Sequence, residues 1–147
     1  MTEVEFSRII SLDDLKSKTI VRDLQATPDE CEKLAVRLNL LKVESLNAHV
    51  EAYREASGII VVEGQLEAKI EQECVRTLEP LSTFIRAPFE IRYITPQKYK
   101  YYMQEHDIHA IDAPDLLEED FLDLGEIVAQ TLSLEIDPYL TKDGENQ

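Results

Sequence analysis

The sequence predicts an α+β domain: an antiparallel β-sheet, open to strong curvature or a half-barrel, with one helix in the N-terminal half and one at the C-terminal end. Three observations carry this. A full helix-start signature stands at Thr27–Glu30. Apolar and polar residues alternate between Leu46 and Cys74. A second apolar stripe, of helical period, follows Asp123. Consecutive strands joined by short turns pair antiparallel, and a helix on either side of them gives the α+β class.

Taken in order, Glu3 to Ile10 sets Val4 and Phe6 against Glu3 and Glu5, which predicts a strand. Thr19 to Leu24 predicts a second. Thr27 then caps a helix, Pro28 takes its first turn, and Glu30 closes a capping box back onto Thr27. Cys31, Leu34, Ala35 and Leu38 form its apolar stripe, and the helix runs to about Leu40. A turn is expected around Val43 to Leu46. From Leu46 the even positions are apolar and the odd ones, His49 and Glu51 among them, are polar, a half-buried strand that Gly58 breaks. Ile59 to Glu63 is β-branched, Gly64-Gln65 suits a hairpin turn, and Leu66 to Cys74 reads as the returning strand. Phe84 to Ile94 is a further strand whose Pro88 places it at an edge or a bulge. An acidic connection follows at about 95–122, long enough to expect a function or mobility. Asp123 caps the last helix, which carries Leu124, Ile127, Val128, Thr131 and Leu132 on one face and is closed by Pro138. Residues 1–140 thus form a single domain and 141–147 a flexible tail.

The chain has 147 residues and a formal net charge of -15. The charge is regional. Residues 1–100 hold 17 acidic and 14 basic side chains, whereas residues 101–147 hold 13 acidic and only Lys142. Such a field repels nucleic-acid backbones at long range and suits cationic partners. The N-terminus lacks the pattern of a signal peptide, and no run approaches the roughly 18 apolar residues of a membrane helix. With two cysteines, Cys31 and Cys74, the simplest expectation is a cytoplasmic protein with reduced thiols.

Four glycines cannot build a phosphate-cradling loop, and no nucleophile elbow is present, so no enzyme and no cofactor is expected. His49 falls on an exposed strand face and reads as a solvated histidine. His106 and His109, with Glu105 and Asp107, are an H-x-x-H that a zinc site would have to complete from elsewhere, and no metal is expected. Cys31 and Cys74 read as core thiols. Lys98, Tyr99, Lys100 and Tyr101 mix cations with aromatic rings, the chemistry of single-stranded RNA contact. The plainer account, that these tyrosines pack onto the sheet, is preferred because acidic residues crowd in downstream.

The run Gly64–Pro80, GQLEAKIEQECVRTLEP, together with Asp123-Leu124-Gly125-Glu126-Ile127-Val128, Asp137-Pro138-Tyr139 and the early segment between Ala26 and Leu46, resembles the YceD family, and within it the shorter alphaproteobacterial-type branch. The family comprises bacterial and chloroplast proteins linked to accumulation of large-subunit ribosomal RNA. The resemblance implies a role in making the large ribosomal subunit, without an established enzymatic activity. It singles out Cys74, Arg76, Thr77, Glu79, Asp123, Leu124, Gly125, Asp137 and Pro138 as motif residues. Many members carry C-x-R-C; here Cys74-Val75-Arg76 is followed by Thr77, so a metal held by that cysteine pair elsewhere loses a ligand here.

Together these readings give a non-enzymatic ribosome biogenesis factor that binds a basic ribosomal protein or pre-ribosomal particle. The acidic residues Asp112, Asp115, Glu118, Glu119, Asp120, Asp123 and Glu126 would carry the contact. An alternative is RNA contact through a basic strip of Arg76, Arg86, Arg92 and Lys98 to Met103. A weaker one is a metal-assisted enzyme.

Overall fold

The computed structural model describes residues 5–16, 18–105 and 114–137. In chain order the elements are β1 (Ile9–Ser11), a single 3-10 turn (Leu12–Leu15), β2 (Ile20–Gln25), α1 (Pro28–Leu38), β3 (Lys42–Arg54), β4 (Ile60–Glu73), β5 (Pro80–Ile94), α2 (Pro96–Glu105), β6 (Asp115–Leu116), β7 (Phe121–Asp123) and α3 (Leu124–Glu135). Strands β2 to β6 form one sheet in sequence order, antiparallel except for the short parallel pair β5–β6, and it does not close into a barrel. β1 and β7 make a separate two-stranded antiparallel ribbon.

Helix α1 forms where its local signals put it. Thr27 Oγ1 accepts from the Glu30 amide while the Glu30 carboxylate accepts from the Thr27 amide, and Asn39 ends the helix in the left-handed conformation at φ +57°. Its apolar face (Cys31, Leu34, Ala35) and that of α3 (Leu124, Ile127, Val128, Ala129, Leu132) meet the inward residues of β3 and β4 in one core. The inward set on β4 is Ile60, Val62, Leu66, Ala68 and Ile70, interrupted by Gly64. α2 lies at one end of the opposite face, where Tyr99 and Tyr53 pack on Ile59, Val61 and Ile94.

Several sequence expectations are corrected. Gly64-Gln65 is no turn: β4 runs unbroken through it, and the turn between β3 and β4 falls at Glu55–Ile59, with Gly58 at φ +96°. A side chain at 64 would put its Cβ 2.0 Å from the His49 carbonyl oxygen of β3. Gly64 therefore serves close approach of two backbones, a mid-strand use of glycine that resembles turn chemistry in one dimension. The turn expected at Val43 to Leu46 is the start of β3, with an irregular register between Val43 and Ser45. The first strand is shorter than expected, confined to Ile9–Ser11, and Phe6 is buried ahead of it. The strand expected from Phe84 starts at Pro80 and passes through Pro88 without a break. Among the described residues nothing pairs with its outer edge before Tyr93, so the missing Pro88 N–H costs no ladder bond there. The acidic connection is not a loop from end to end, since it opens with α2 and ends with β6 and the start of β7. The end of the last helix at Pro138 and the tail lie outside the described residues.

Gly64→Ala is expected to destabilise the protein by about 3 kcal/mol or more, because the added carbon meets backbone rather than a side chain able to move. Chemical denaturation would show this as a lower midpoint; an unchanged midpoint would mean that the two strands separate there without penalty.

Candidate functional site

The acidic residues expected to meet a partner fall into two groups. Asp115, Glu118, Glu119 and Asp120 lie on an exposed strap that crosses the edge of the sheet. The strap is anchored, not loose. Asp115 and Leu116 pair with Tyr93 and Ile94, the Leu117 amide donates to the Ile94 carbonyl at 2.8 Å, and Leu117 is buried. At the other end the Leu12 amide donates to the Asp120 carbonyl at 3.0 Å. None of the four carboxylates forms an ion pair among the described residues. Asp115 lies close enough to Tyr93 to act on its phenol, which burial first and this carboxylate second push up to about 12. Asp112 lies outside the described residues.

Asp123 and Glu126 have other work. The Asp123 carboxylate accepts from Ser7 Oγ at 2.7 Å, from the Arg8 amide at 2.7 Å and from the Glu126 amide at 3.3 Å, so it caps α3 and grips the N-terminal segment at once. Both Glu126 oxygens accept from Arg37 of α1, at 2.8 and 2.7 Å, and Arg37 also reaches Glu5. The bond from Arg37 holds the Glu126 carboxyl below the usual range, and Glu126 raises Arg37 in return. Beside them Arg8 donates two bonds to Glu30, whose carboxyl that contact lowers to about 2. Ser7, Arg8 and Arg37 gave no local signal for these roles, since their partners stand between 22 and 116 positions away.

The motif residues bracket α3. At its start the Leu124 amide donates to the Arg8 carbonyl, and Gly125 lets the helix approach Phe6 so closely that an added Cβ would sit 2.6 Å from the Phe6 oxygen. At its end the buried Gln72 of β4 donates to the Asp137 carbonyl at 2.7 Å. Cys74 lies two residues beyond Gln72, just past the strand and buried, and opens the loop to β5. Its amide donates to the Glu79 carbonyl, the Leu78 amide donates to the Cys74 carbonyl, and Thr77 Oγ1 accepts from Glu79. Arg76 and Thr77 are exposed at the tip. Pro138 lies outside the described residues.

The proposed basic strip does not assemble. Arg76 is in the β4–β5 loop, whereas Arg92 stands near the far end of β5, a separation on the order of 40 Å along the strand. Arg86 is held by Glu67, and Arg92 by Glu55. Lys98 and Lys100 are exposed on α2, Tyr99 turns inward, and the Tyr101 side chain lies outside what is described. His49 is exposed with Asp23 2.7 Å and Glu51 3.4 Å from its two ring nitrogens, and both carboxylates raise its pKa, Asp23 more. His106, His109 and Asp107 lie outside the described residues. Among those described, no group of three or more His, Cys, Asp or Glu side chains is placed to hold a metal, and no helix is long and apolar enough to cross a membrane.

The described residues thus form an α+β fold with an acidic strap held beside a clamped C-terminal helix. The chain belongs to the family described as large ribosomal RNA subunit accumulation protein YceD, whose model matches residues 62–147, more than half of its length. Comparison with curated proteins and with solved structures returns no match. The matched region runs from within β4 through the motif loop, the strap and α3.

Asp123→Ala is expected to lower stability by about 3 kcal/mol, from the lost cap and the bonds to Ser7 and Arg8, while Asp115→Ala changes it by less than about 0.5 kcal/mol. Thermal melts of the two variants side by side would distinguish a clamp from a display residue. The Arg8–Glu30 pair adds a pH signature. A carboxyl lowered to about 2 stabilises the fold above its ordinary range near 4.5 and loses that contribution as pH falls toward 2. Denaturant midpoints of the natural protein should therefore fall more steeply between pH 5 and 2 than those of Arg8→Gln; parallel curves would contradict the assignment.

Proposed function

We propose that this chain is a non-enzymatic, cytoplasmic factor that supports accumulation of large-subunit ribosomal RNA by binding a basic ribosomal protein, free or within an assembly intermediate. The family supports the ribosomal role. The observation that carries the binding reading is the strap. Four exposed carboxylates, Asp115, Glu118, Glu119 and Asp120, sit within six residues without an ion-pair partner among the described residues, on backbone pinned at both ends. Pinning lowers the entropy lost on docking, and a local negative field speeds encounter with a cationic protein. Ribosomal proteins are basic, so the strap's carboxylates complement such a partner in charge. Contact with RNA through the arginines draws no support, because Arg86 and Arg92 face carboxylates of their own sheet and Arg76 lies at its other end.

The test is affinity capture from the protein's own host with identification of what is held. Large-subunit ribosomal proteins or precursor particles are expected at low salt. They should be lost at about 0.5 M salt, where the Debye length falls to roughly 4 Å. They should also be lost from the variant Asp115→Lys, Glu118→Lys, Glu119→Lys, Asp120→Lys. Absence of any ribosomal component at low salt overturns the reading.

A further inference from the structure

We propose that the open face of the main sheet is a second docking surface, and that its occupant is an arginine- or lysine-rich segment of a partner protein. The inference rests on the reading above only in that the partner is basic.

The core-facing side of the sheet is covered by α1 and α3, and among the described residues Tyr99 of α2 covers the end of the other side near Val61. Between, the register sets out the outward-facing residues, Glu51, Glu63 and Glu67 among them half-buried, in rows that cross the strands. One row is Val21, Glu51, Glu63 and Glu90, each directly opposite the next. The adjoining row is Asp23, His49, Gln65 and Pro88, and the one beyond it is Gln25, Asn47, Glu67 and Arg86. The first row places three carboxylates side by side across about 10 Å, at the spacing of neighbouring strands. Like charges directly opposite destabilise a sheet. Glu63, at the centre, has no ion-pair partner among the described residues.

What the row would accept is shown by the chain's own side chains. Arg92 donates to Glu55 at 3.0 Å and lies 4.0 Å from Glu90, and Arg86 donates twice to Glu67, at 2.8 and 2.6 Å. Arg92 thus reaches one end of the row at Glu90, His49 lies 3.4 Å from Glu51, and Glu63 between them is unmatched among the described residues. The phenol of Tyr53 is raised by burial and then by the negative charge of Glu63, Glu55 and Glu90, with Arg92 opposing. A shallow depression of about 840 Å³ lies over the row, lined by His49, Glu51, Glu63, Gln65 and Glu90. Val21, 47 % exposed, stands in the row itself, whereas Phe84 lies farther along β5, opposite Lys69 and under the Arg86 guanidinium. An apolar side chain beside a shallow acidic patch suits a protein segment. The field disfavours RNA.

The experiment is an NMR titration of the intact ¹⁵N-labelled chain with a hexa-arginine peptide at low salt, paired with the variant Glu51→Gln, Glu63→Gln, Glu90→Gln. Amide shifts are expected at Glu51, Glu63, Gln65 and Glu90, with affinity for these sites at least about tenfold weaker in the variant. The variant should melt at or above the natural temperature, since it relieves repulsion, so a weakened titration cannot be laid to unfolding. Shifts confined to residues 114–120 overturn this inference and leave the strap reading intact. Face shifts that persist unchanged in the variant overturn it as well. So does magnesium at equal concentration reproducing them, which would make the row a cation site. The strap reading stands or falls separately, on capture by the charge-reversed strap.

Discussion

The carboxylate of Asp123 is the point on which the covered side of the molecule depends. It caps α3, accepts from Ser7 and from the Arg8 amide, and so fixes where the N-terminal segment crosses the helix start. Everything adjacent follows. Ile9 comes to lie opposite Asp123 in the small ribbon, Gly125 meets the Phe6 backbone, and Arg8 is delivered to Glu30, the residue that also closes the capping box of α1. Arg37 adds a second tie from α1 to α3 through Glu126. These groups are partly buried, so the ties are screened less than surface pairs, and each also meets a backbone or second side-chain partner.

That clasp has a consequence for the strap. Residues 114–120 lead straight into β7 and Asp123, and they are stitched to Ile94 and Leu12 on the way. A segment so short between fixed points has little freedom to lose. Its carboxylates are displayed on a preorganised backbone, and any energy from a cationic partner goes into contact instead of ordering. The protein's acidity therefore divides by use. Glu30, Glu126, Asp123 and Glu67 are matched inside the molecule, while Asp115, Glu118, Glu119 and Asp120 on the strap and Glu63 on the sheet have no such match among the described residues.

This division was not legible in the sequence, and the reason is separation along the chain. Helix α1 could be read in full because Thr27, Pro28 and Glu30 act on one another locally. The alternation in β3 and β4 survives because it records which face is buried. Gly64 misleads because a tight turn and a close backbone approach both call for the same missing side chain, and only the position of His49 decides between them. α2 escapes because Tyr99, Tyr102 and Met103, though at helical spacing, stand among lysines and a further tyrosine and read as a mixture of cations and rings; Tyr99 docks its described part. Asp123 was recognised as a cap, but its second duty toward Ser7 lies 116 positions away. The row of Glu51, Glu63 and Glu90 is invisible until the register of three strands is known, since each of these residues alternates unremarkably in its own strand.

The extent of the family match sharpens the distinction between the two acidic surfaces. Residues 62–147 include the strap, the motif loop and α3, but neither Asp23 nor Glu51, nor the clasp partners Ser7, Arg8 and Arg37. The four carboxylates of the strap thus all lie within the matched region, although its anchor Leu12 does not, whereas the sheet row takes Glu51 from outside it, next to Glu63 and Glu90 from inside. The two surfaces also differ in how their charges come together. On the strap they are neighbours in sequence, whereas on the sheet the register of three strands sets Glu51, Glu63 and Glu90 directly opposite one another. Like charges so opposed cost stability, and a cation docking there would gain from offsetting that repulsion as well as from its own attraction.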